Sequence, residues 1–186
     1  MFMLPPRSAP QLETERLRLR AYTANDFEQY CDLWANETVV AHIGGKPFTR
    51  GECLGHLMQQ IGSWHLAGMG YWAVVEKSSD RYIGEVGFGC QIRDIQPSIE
   101  GRPEAGWVLM PSAHGKGYAT EAMTCALQWG LPQFGDRRVV CIMDDDYPAT
   151  YRVAEKLGFT EYARTTFRGE PTLLLELTRP EQFLVS

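Results

Sequence analysis

Hydrophobic positions in this chain change period several times, and each change marks an element. Within Leu12 to Ala21 the residues Leu17, Leu19 and Ala21 alternate with arginines, the period of a half-buried strand. Thr23-Ala-Asn-Asp26 then opens like a capping box, and Phe27, Tyr30, Cys31 and Trp34 recur on one helical face. After a connection containing Gly44, Gly45 and Pro47 comes a fuller box, Thr49-Arg-Gly-Glu52. It precedes Leu54, Leu57, Met58, Ile61 and Trp64, a second helical stripe expected to face the core. Gly70 to Glu76 and Arg81 to Ile92 are β-rich and separated by the polar Lys77-Ser-Ser-Asp80, which predicts a hairpin.

Arg93 to Arg102, with Pro97 and Gly101, reads as a loop before a strand over Pro103 to Met110. A helical pattern comes next, with Ala119, Ala122, Met123, Ala126 and Leu127 on one face, ending near Gly130, Pro132 and Gly135. Arg138 to Met143 is a buried strand, parallel to the one before this helix. A helix after Tyr147 closes at Gly158, Phe159 opens a further strand, and Thr172 to Thr178 is the last. The sum is about seven strands and about four helices in a mixed α/β (α+β) domain.

The segment from Trp107 to Gln128 carries the first chemical signal. A strand ends at Pro111, a turn contains Gly115 and Gly117, and a helix begins. Glycines bring a ligand close to the backbone, and first-turn N–H groups lack intrahelical partners, so this junction suits an anion, most simply a phosphate. Two familiar phosphate motifs do not fit. In a P-loop the lysine comes after the second glycine, whereas Lys116 sits between them; a dinucleotide fingerprint needs a small residue where Thr120 stands.

At 186 residues, 44% hydrophobic and 22% charged, the chain fits one globular domain over 1–186, with residues 1–10 expected to fray. A net charge of −5 gives no reason to expect nucleic acid and mildly favours cationic acceptors such as amines. Five scattered cysteines suit a reducing compartment. With neither a signal-like segment nor a membrane span, the expectation is a cytoplasmic protein with no membrane partner. Asn36-Glu-Thr38 forms a sequon by chance, and the histidines His42, His56, His65 and His114 show no metal-ligand spacing, so no metal is expected.

His114-Gly-Lys-Gly117-Tyr-Ala119 resembles the Gln/Arg-x-x-Gly-x-Gly/Ala loop of the GNAT superfamily of acyl-CoA-dependent N-acetyltransferases, with His114 in place of the usual Gln or Arg. The flanks Glu104-Ala-Gly-Trp107 and Ala119-Thr-Glu-Ala122, and Glu15-Arg-Leu-Arg-Leu-Arg20 near the start, are similar to the RimJ/RimL-like branch, ribosomal-protein N-terminal acetyltransferases among them. Tyr147-Pro-Ala-Thr150 and then Glu155-Lys-Leu-Gly-Phe159 resemble the family's Asn-x-Ala-Ser…Glu-Lys-Leu-Gly-Phe segment, with Tyr147 for Asn and Thr150 for Ser. The resemblance implies the GNAT acyl-CoA N-acyltransferase fold, a mostly antiparallel sheet whose central parallel pair splays apart to admit the pantetheine arm. It also implies acetyl-CoA resting on Trp107, Val108, Leu109, Met110, His114, Gly115, Lys116, Gly117, Tyr118, Ala119 and Thr120, and on Tyr147, Thr150 and Tyr151. The first two helices and their connection would wall the acceptor cleft.

The acceptor amine must lose its proton before attacking a thioester, which at pH 7 costs roughly 4–5 kcal/mol for a lysine-like amine and about 1 kcal/mol for an α-amine. A carboxylate is the usual base. Glu104, on the strand before the loop, is the first candidate and Glu85 the second; the oxyanion would meet a backbone N–H around Val108 to Met110. Asp144, Asp145 and Asp146 form either an attractor for cationic amines or a solvated turn. Ala154 stands where many GNAT enzymes carry a tyrosine acid, leaving Thr150, Tyr147 or Tyr151 as substitutes, or an unassisted thiolate departure. The expected function is acetyl transfer to a primary amine, a peptide N-terminus or a small molecule, by a monomer or homodimer. The alternative is a catalytically silent acyl-CoA-binding sensor.

Overall fold

The structure, a computed structural model, describes residues 8–184. The expected fraying over 1–10 lies for residues 1–7 outside that range. Ala9, however, is buried, and the Pro10 carbonyl accepts a hydrogen bond from the Trp72 indole at 2.8 Å, so the end of this lead is held down.

The expected first strand is two: β1 (Leu12–Glu13) folds back antiparallel on β2 (Leu17–Arg20). Thr14 makes the turn, its hydroxyl accepting from the Leu17 N–H at 2.9 Å, a side-chain bond that sequence alternation does not reveal. α1 (Phe27–Trp34) forms as expected, and an unforeseen short helix, α2 (Glu37–Val40), comes after it. Asn36 caps α2 by accepting from Thr38 N and Val39 N, so the asparagine of the sequon serves as a helix cap.

α3 (Arg50–Ala67) starts at the predicted Thr49/Glu52 capping box and ends at Gly68 in the left-handed region. Its stripe needs correction. Leu57 and Trp64 are buried beside Cys53, Gln60 and Ala67, whereas Leu54, Met58 and Ile61 are exposed. The apolar residues on this helix cover more than one face, and only packing decides which face goes inward.

β3 (Tyr71–Glu76) and β4 (Arg81–Gly89) make the predicted hairpin; β4 stops short of Ile92, which is exposed. β5 (Glu104–Leu109) leads into α4 (Tyr118–Phe134), which runs through Gly130 and Pro132 and stops at the last of the three expected residues, Gly135. Gly130 lies where a Cβ would meet Phe134 at 2.7 Å and Phe88 at 3.0 Å, so it is a close-packing residue rather than a terminator. β6 (Val140–Asp144), α5 (Pro148–Lys156), β7 (Phe159–Phe167) and β8 (Glu170–Leu177) complete the chain.

The eight strands form one sheet in the order β1-β2-β3-β4-β5-β6-β8-β7, antiparallel except for β5 and β6. The largest apolar cluster packs α4 and α5 on one face, with Leu17, Trp72, Val86, Met123 and Leu175 at its centre. A second cluster covers part of the other face, joining Tyr22, Tyr30, Trp34, Cys53 and Tyr82 under α1, α2 and the start of α3.

Candidate active site

The parallel pair is fastened at one end only. Glu104 pairs with Val140, and Val140 N donates to Pro103 O at 3.0 Å; no further register pair joins β5 to β6. On its other side β5 pairs with β4 along its whole length. Met110 N donates to Ile83 O at 2.8 Å, and backbone groups alternate along an antiparallel strand. Val108 and Met110 therefore direct their polar atoms to β4, while Trp107 and Leu109 direct theirs to the side where the partner strand has left. Within the expected Val108–Met110 region, the N–H presented to the gap belongs to Leu109.

Beyond β5, Pro111–Ala113 makes a 3-10 turn, and Gly115 (φ 73°) and Gly117 (φ 79°) adopt left-handed backbone that only glycine takes without strain. Nothing lies within 4 Å of a Cβ built on Gly115, so the loop is open above its backbone. Gly117 is the N-cap of α4, whose free first-turn N–H groups and dipole carry partial positive charge. Arg16 lies 3.7 Å from a Gly117 Cβ, donates to Lys116 O at 3.1 Å and is paired at 2.6 Å with Glu121, whose carboxylate offsets its charge. Lys116 is exposed beside it.

These residues fit an extended thioester carrying a diphosphate: a cationic, uncovered helix start leads into a slot between parted strands. Two of the expected contacts are otherwise engaged. The Tyr118 hydroxyl donates to Glu76 at 2.7 Å, beneath the Arg16 guanidinium, so only its backbone faces the loop. The His114 ring reaches back, Nε2 lying 2.8 Å from Leu109 O.

Across the gap, Tyr147 caps α5 and stacks on His42 with ring centres 4.0 Å apart and an interplanar angle of 13°. Thr150 and Tyr151 are half-buried on the first turn of α5, and Ala154 is completely buried in the main core, so the position of the family's tyrosine acid faces packing. The acidic loop divides: Asp145 pairs with Arg164 at 2.8 Å, while Asp144 and Asp146 each lie 3.6 Å from His42 Nδ1. Ligand atoms of His42, Asp144 and Asp146 thus come within 4.8 Å of one another, a grouping that linear spacing does not display. Burial raises the Asp144 pKa. A groove of about 130 Å³ nearby is lined by Trp34, Val40, Pro47, Phe48 and Arg168, along the connection expected to wall the acceptor side.

The two candidate bases differ sharply. Glu104 sits at the fastened end of the gap, and its oxygens accept from Arg93 Nε and Nη2, both at 2.6 Å. Both oxygens are thus committed to a guanidinium, the bidentate geometry of a structural ion pair. Glu85 lies further along, directly opposite Val108 in the β4–β5 register. It is buried, burial pushes its pKa up to about 8, and its one side-chain partner among the described residues is the Tyr22 hydroxyl. Periodicity does not display the tyrosines that gather around it; the signal the chain does carry is Gly84, the first of three glycines within a strand pattern, where a bulge forms.

Known proteins agree with this geometry. The family described as "Acetyltransferase (GNAT) domain" matches residues 16–160. An uncharacterized N-acetyltransferase of Bacillus licheniformis, p20, is 26% identical over 149 residues, covering 80% of this chain and 81% of its own. A structure described as a GnaT-family acetyltransferase of Bordetella pertussis superposes with a TM-score of 0.80 at 29% identity, over 90% of this chain and 99% of that one. An Agrobacterium tumefaciens acetyltransferase gives 0.77 at 26%, over 91% and 94%. The silent-sensor alternative draws no support from them. A parted parallel pair, an open glycine turn and a matching family over most of the sequence converge: the chain belongs to the GNAT family and is an acetyl-CoA-dependent acetyltransferase.

Proposed function

We propose that this enzyme transfers the acetyl group of acetyl-CoA to a primary amine by direct attack in a ternary complex, and that the acceptor is an α-amine such as a peptide N-terminus, as in the RimJ/RimL-like branch. The observation that carries the reading is the single β5–β6 register pair: it opens a slot beside the Leu109 N–H and the cationic start of α4. Bound acetyl-CoA supplies a thioester whose sulfur is a good leaving group. Trp107 to Met110 line its arm, His114 to Thr120 hold its phosphates through backbone N–H groups aided by Lys116, and Tyr147, Thr150 and Tyr151 border the far side. Leu109 N–H stands where negative charge grows on the acyl oxygen. Thr150 is the hydroxyl assigned to the departing sulfur.

Glu85 takes the base role in place of Glu104, whose lone pairs are committed to Arg93. Its pKa of about 8 sits close to the ~7.7–8.0 of an α-amine and well below the ~10.4 of a lysine, so proton transfer from an α-amine is close to balanced. A solved spermidine N-acetyltransferase from Vibrio cholerae, bound to CoA and spermine, shares the fold at 16% identity and TM-score 0.69, which makes small polyamines the comparison acceptors. The test is thiol release from acetyl-CoA against short peptides with free N-termini, spermidine and simple monoamines. Peptide-dependent release is expected; tight acetyl-CoA binding with no release for any acceptor overturns the proposal.

A further inference from the structure

The groove of about 130 Å³ opens between the connection that follows α2 and the tip of the β7–β8 hairpin. Its apolar wall is Val40, Pro47 and Phe48 with Trp34, whose ring stacks on Phe48 at 5.0 Å between centres and 14° between planes. Pockets for whole small molecules occupy roughly 300–1,000 Å³, so this one has room for a single side chain. It adjoins the slot on two sides. Phe48 packs in the same apolar cluster as Val108 and Met110 of β5, and Ile43 and Gly44 at the groove's rim follow directly on His42, which stacks on Tyr147.

The charges around the groove are of one sign once the committed group is set aside. Its carboxylate, Glu52, caps α3 by accepting from the Thr49 N–H and hydroxyl at 2.7 and 2.8 Å. Its cations, Lys46 and Arg168, are exposed and form no ion pair among the described residues. Lys46 stands near Glu52, so Arg168, which leans only on the neighbouring Phe167 ring, is the stronger partner for an anion. Arg168 and Gly169 make the tight turn between Phe167 and Glu170, with φ 54° and 90°. Such turns favour Asn, Asp or Gly at the first place, because other side chains are strained at positive φ. An arginine kept there carries strain of the kind found at ligand clamps. Its Nη1 lies 3.7 Å from where a Gly44 Cβ would stand, so the guanidinium reaches from the hairpin tip to the opposite wall of the groove.

We infer that this groove selects acceptor peptides that carry an acidic side chain close behind the reacting N-terminus. The inference rests on the reading of the acceptor as a peptide α-amine and narrows it. The methylenes of that side chain lie against Val40, Pro47 and the Trp34–Phe48 stack, and its carboxylate pairs with Arg168, aided by Lys46. A guanidinium only donates, and it meets a carboxylate with two parallel hydrogen bonds; a lysine in the same place would set two cations together. Charge is arranged to suit such a ligand. Asp144 ends β6, the far strand of the slot, and lies with Asp146 beside His42, whereas the groove beyond His42 is cationic. Opposite potentials a short way apart orient a peptide whose terminus is an ammonium and whose next side chains include a carboxylate. Arg168 is here a residue of acceptor specificity and takes no part in the chemical step.

Short free-N-terminus peptides with glutamate, glutamine or lysine at the second, third or fourth residue decide it, read by thiol release from acetyl-CoA. At one of these places the wild type is expected to favour glutamate over glutamine by roughly 10-fold in kcat/KM, and over lysine by more, the preference shrinking as salt rises. R168N keeps a residue that tolerates the left-handed turn and removes the charge. It is expected to bring the glutamate peptide down to the level of the glutamine peptide with the KM for acetyl-CoA unmoved, and R168E to turn the preference towards lysine; circular dichroism checks that both variants fold. Equal kcat/KM for the three peptides at every place, or a glutamate preference that survives R168N, overturns the inference. If the wild-type protein acetylates no amine at all, the parent reading fails by that separate result. Calorimetry of the N-acetylated glutamate and glutamine peptides on the CoA-bound protein then still decides the groove: tighter binding of the glutamate form that R168N abolishes supports it, and equal binding overturns it.

Discussion

His114 Nε2 lies 2.8 Å from Leu109 O, so the glycine turn ahead of α4 also grips the last residue of the strand beside the gap. A carbonyl only accepts, so Nε2 is the protonated nitrogen. The Leu109–Met110 peptide is then held from both ends, because Met110 N donates to Ile83 O on β4. Removing the ring in H114A is expected to raise the KM for acetyl-CoA and lower kcat together, by about 3- to 10-fold, the worth of one net hydrogen bond. H114Q, which restores an N–H donor, is expected to recover most of the loss in steady-state kinetics.

As the proposed base, Glu85 would link activity to stability. Its folded pKa, about 8, stands above the ordinary carboxyl value of 4.5 because burial disfavours the charge. Below that lower value both folded and unfolded chains hold the proton and the group contributes nothing. As pH rises from there to about 8 the unfolded chain releases the proton while the folded chain retains it, so stability falls through that window and levels off above it. Each unit of separation corresponds to about 1.4 kcal/mol. E85Q carries no such charge and is expected to melt above the wild type, by more at pH 8 than at pH 5, while losing most acetylation. Equal melting differences at both pH values would refute the buried-acid description.

The Arg93–Glu104 pair makes the opposite case. Here the carboxylate is buried but fully met by a guanidinium with 18% side-chain exposure. R93A is expected to destabilise the domain by about 3–5 kcal/mol, read by urea unfolding, because it leaves Glu104 charged and unpaired at the only fastened point of β5 and β6.

Gly84 tests the bulge itself. An alanine there would drive its Cβ into Val108 O with φ in a region L side chains avoid. G84A is expected to lower stability by about 1–3 kcal/mol or more and to cost activity beyond that, since relaxing the bulge turns Tyr82 and Glu85 to opposite faces. Thermal melting by circular dichroism and the peptide assay separate the two effects.

Local chemistry was legible in the chain. The Thr49/Glu52 box, the turn at Lys77–Asp80, the helix start after Gly117 and the stop at Gly158 each rest on contacts between near neighbours, and each appears where the residues indicated. The left-handed turn at Gly115 and Gly117 and the helix start behind it were readable for the same reason, because both are properties of a few consecutive residues. What only the tertiary structure decided depends on partners far away in sequence. Arg93 closing on Glu104, Tyr22 reaching Glu85 across 63 residues, and His42 stacking on Tyr147 are fixed by strand order and helix placement, which periodicity does not encode. The same holds for the two exposed and buried faces of α3, since both are apolar and only the layer beneath selects one. The two candidate bases part for the same physical reason: Glu104 is met on both oxygens by an arginine that folding delivers, whereas Glu85 is buried without a cation, which raises its pKa.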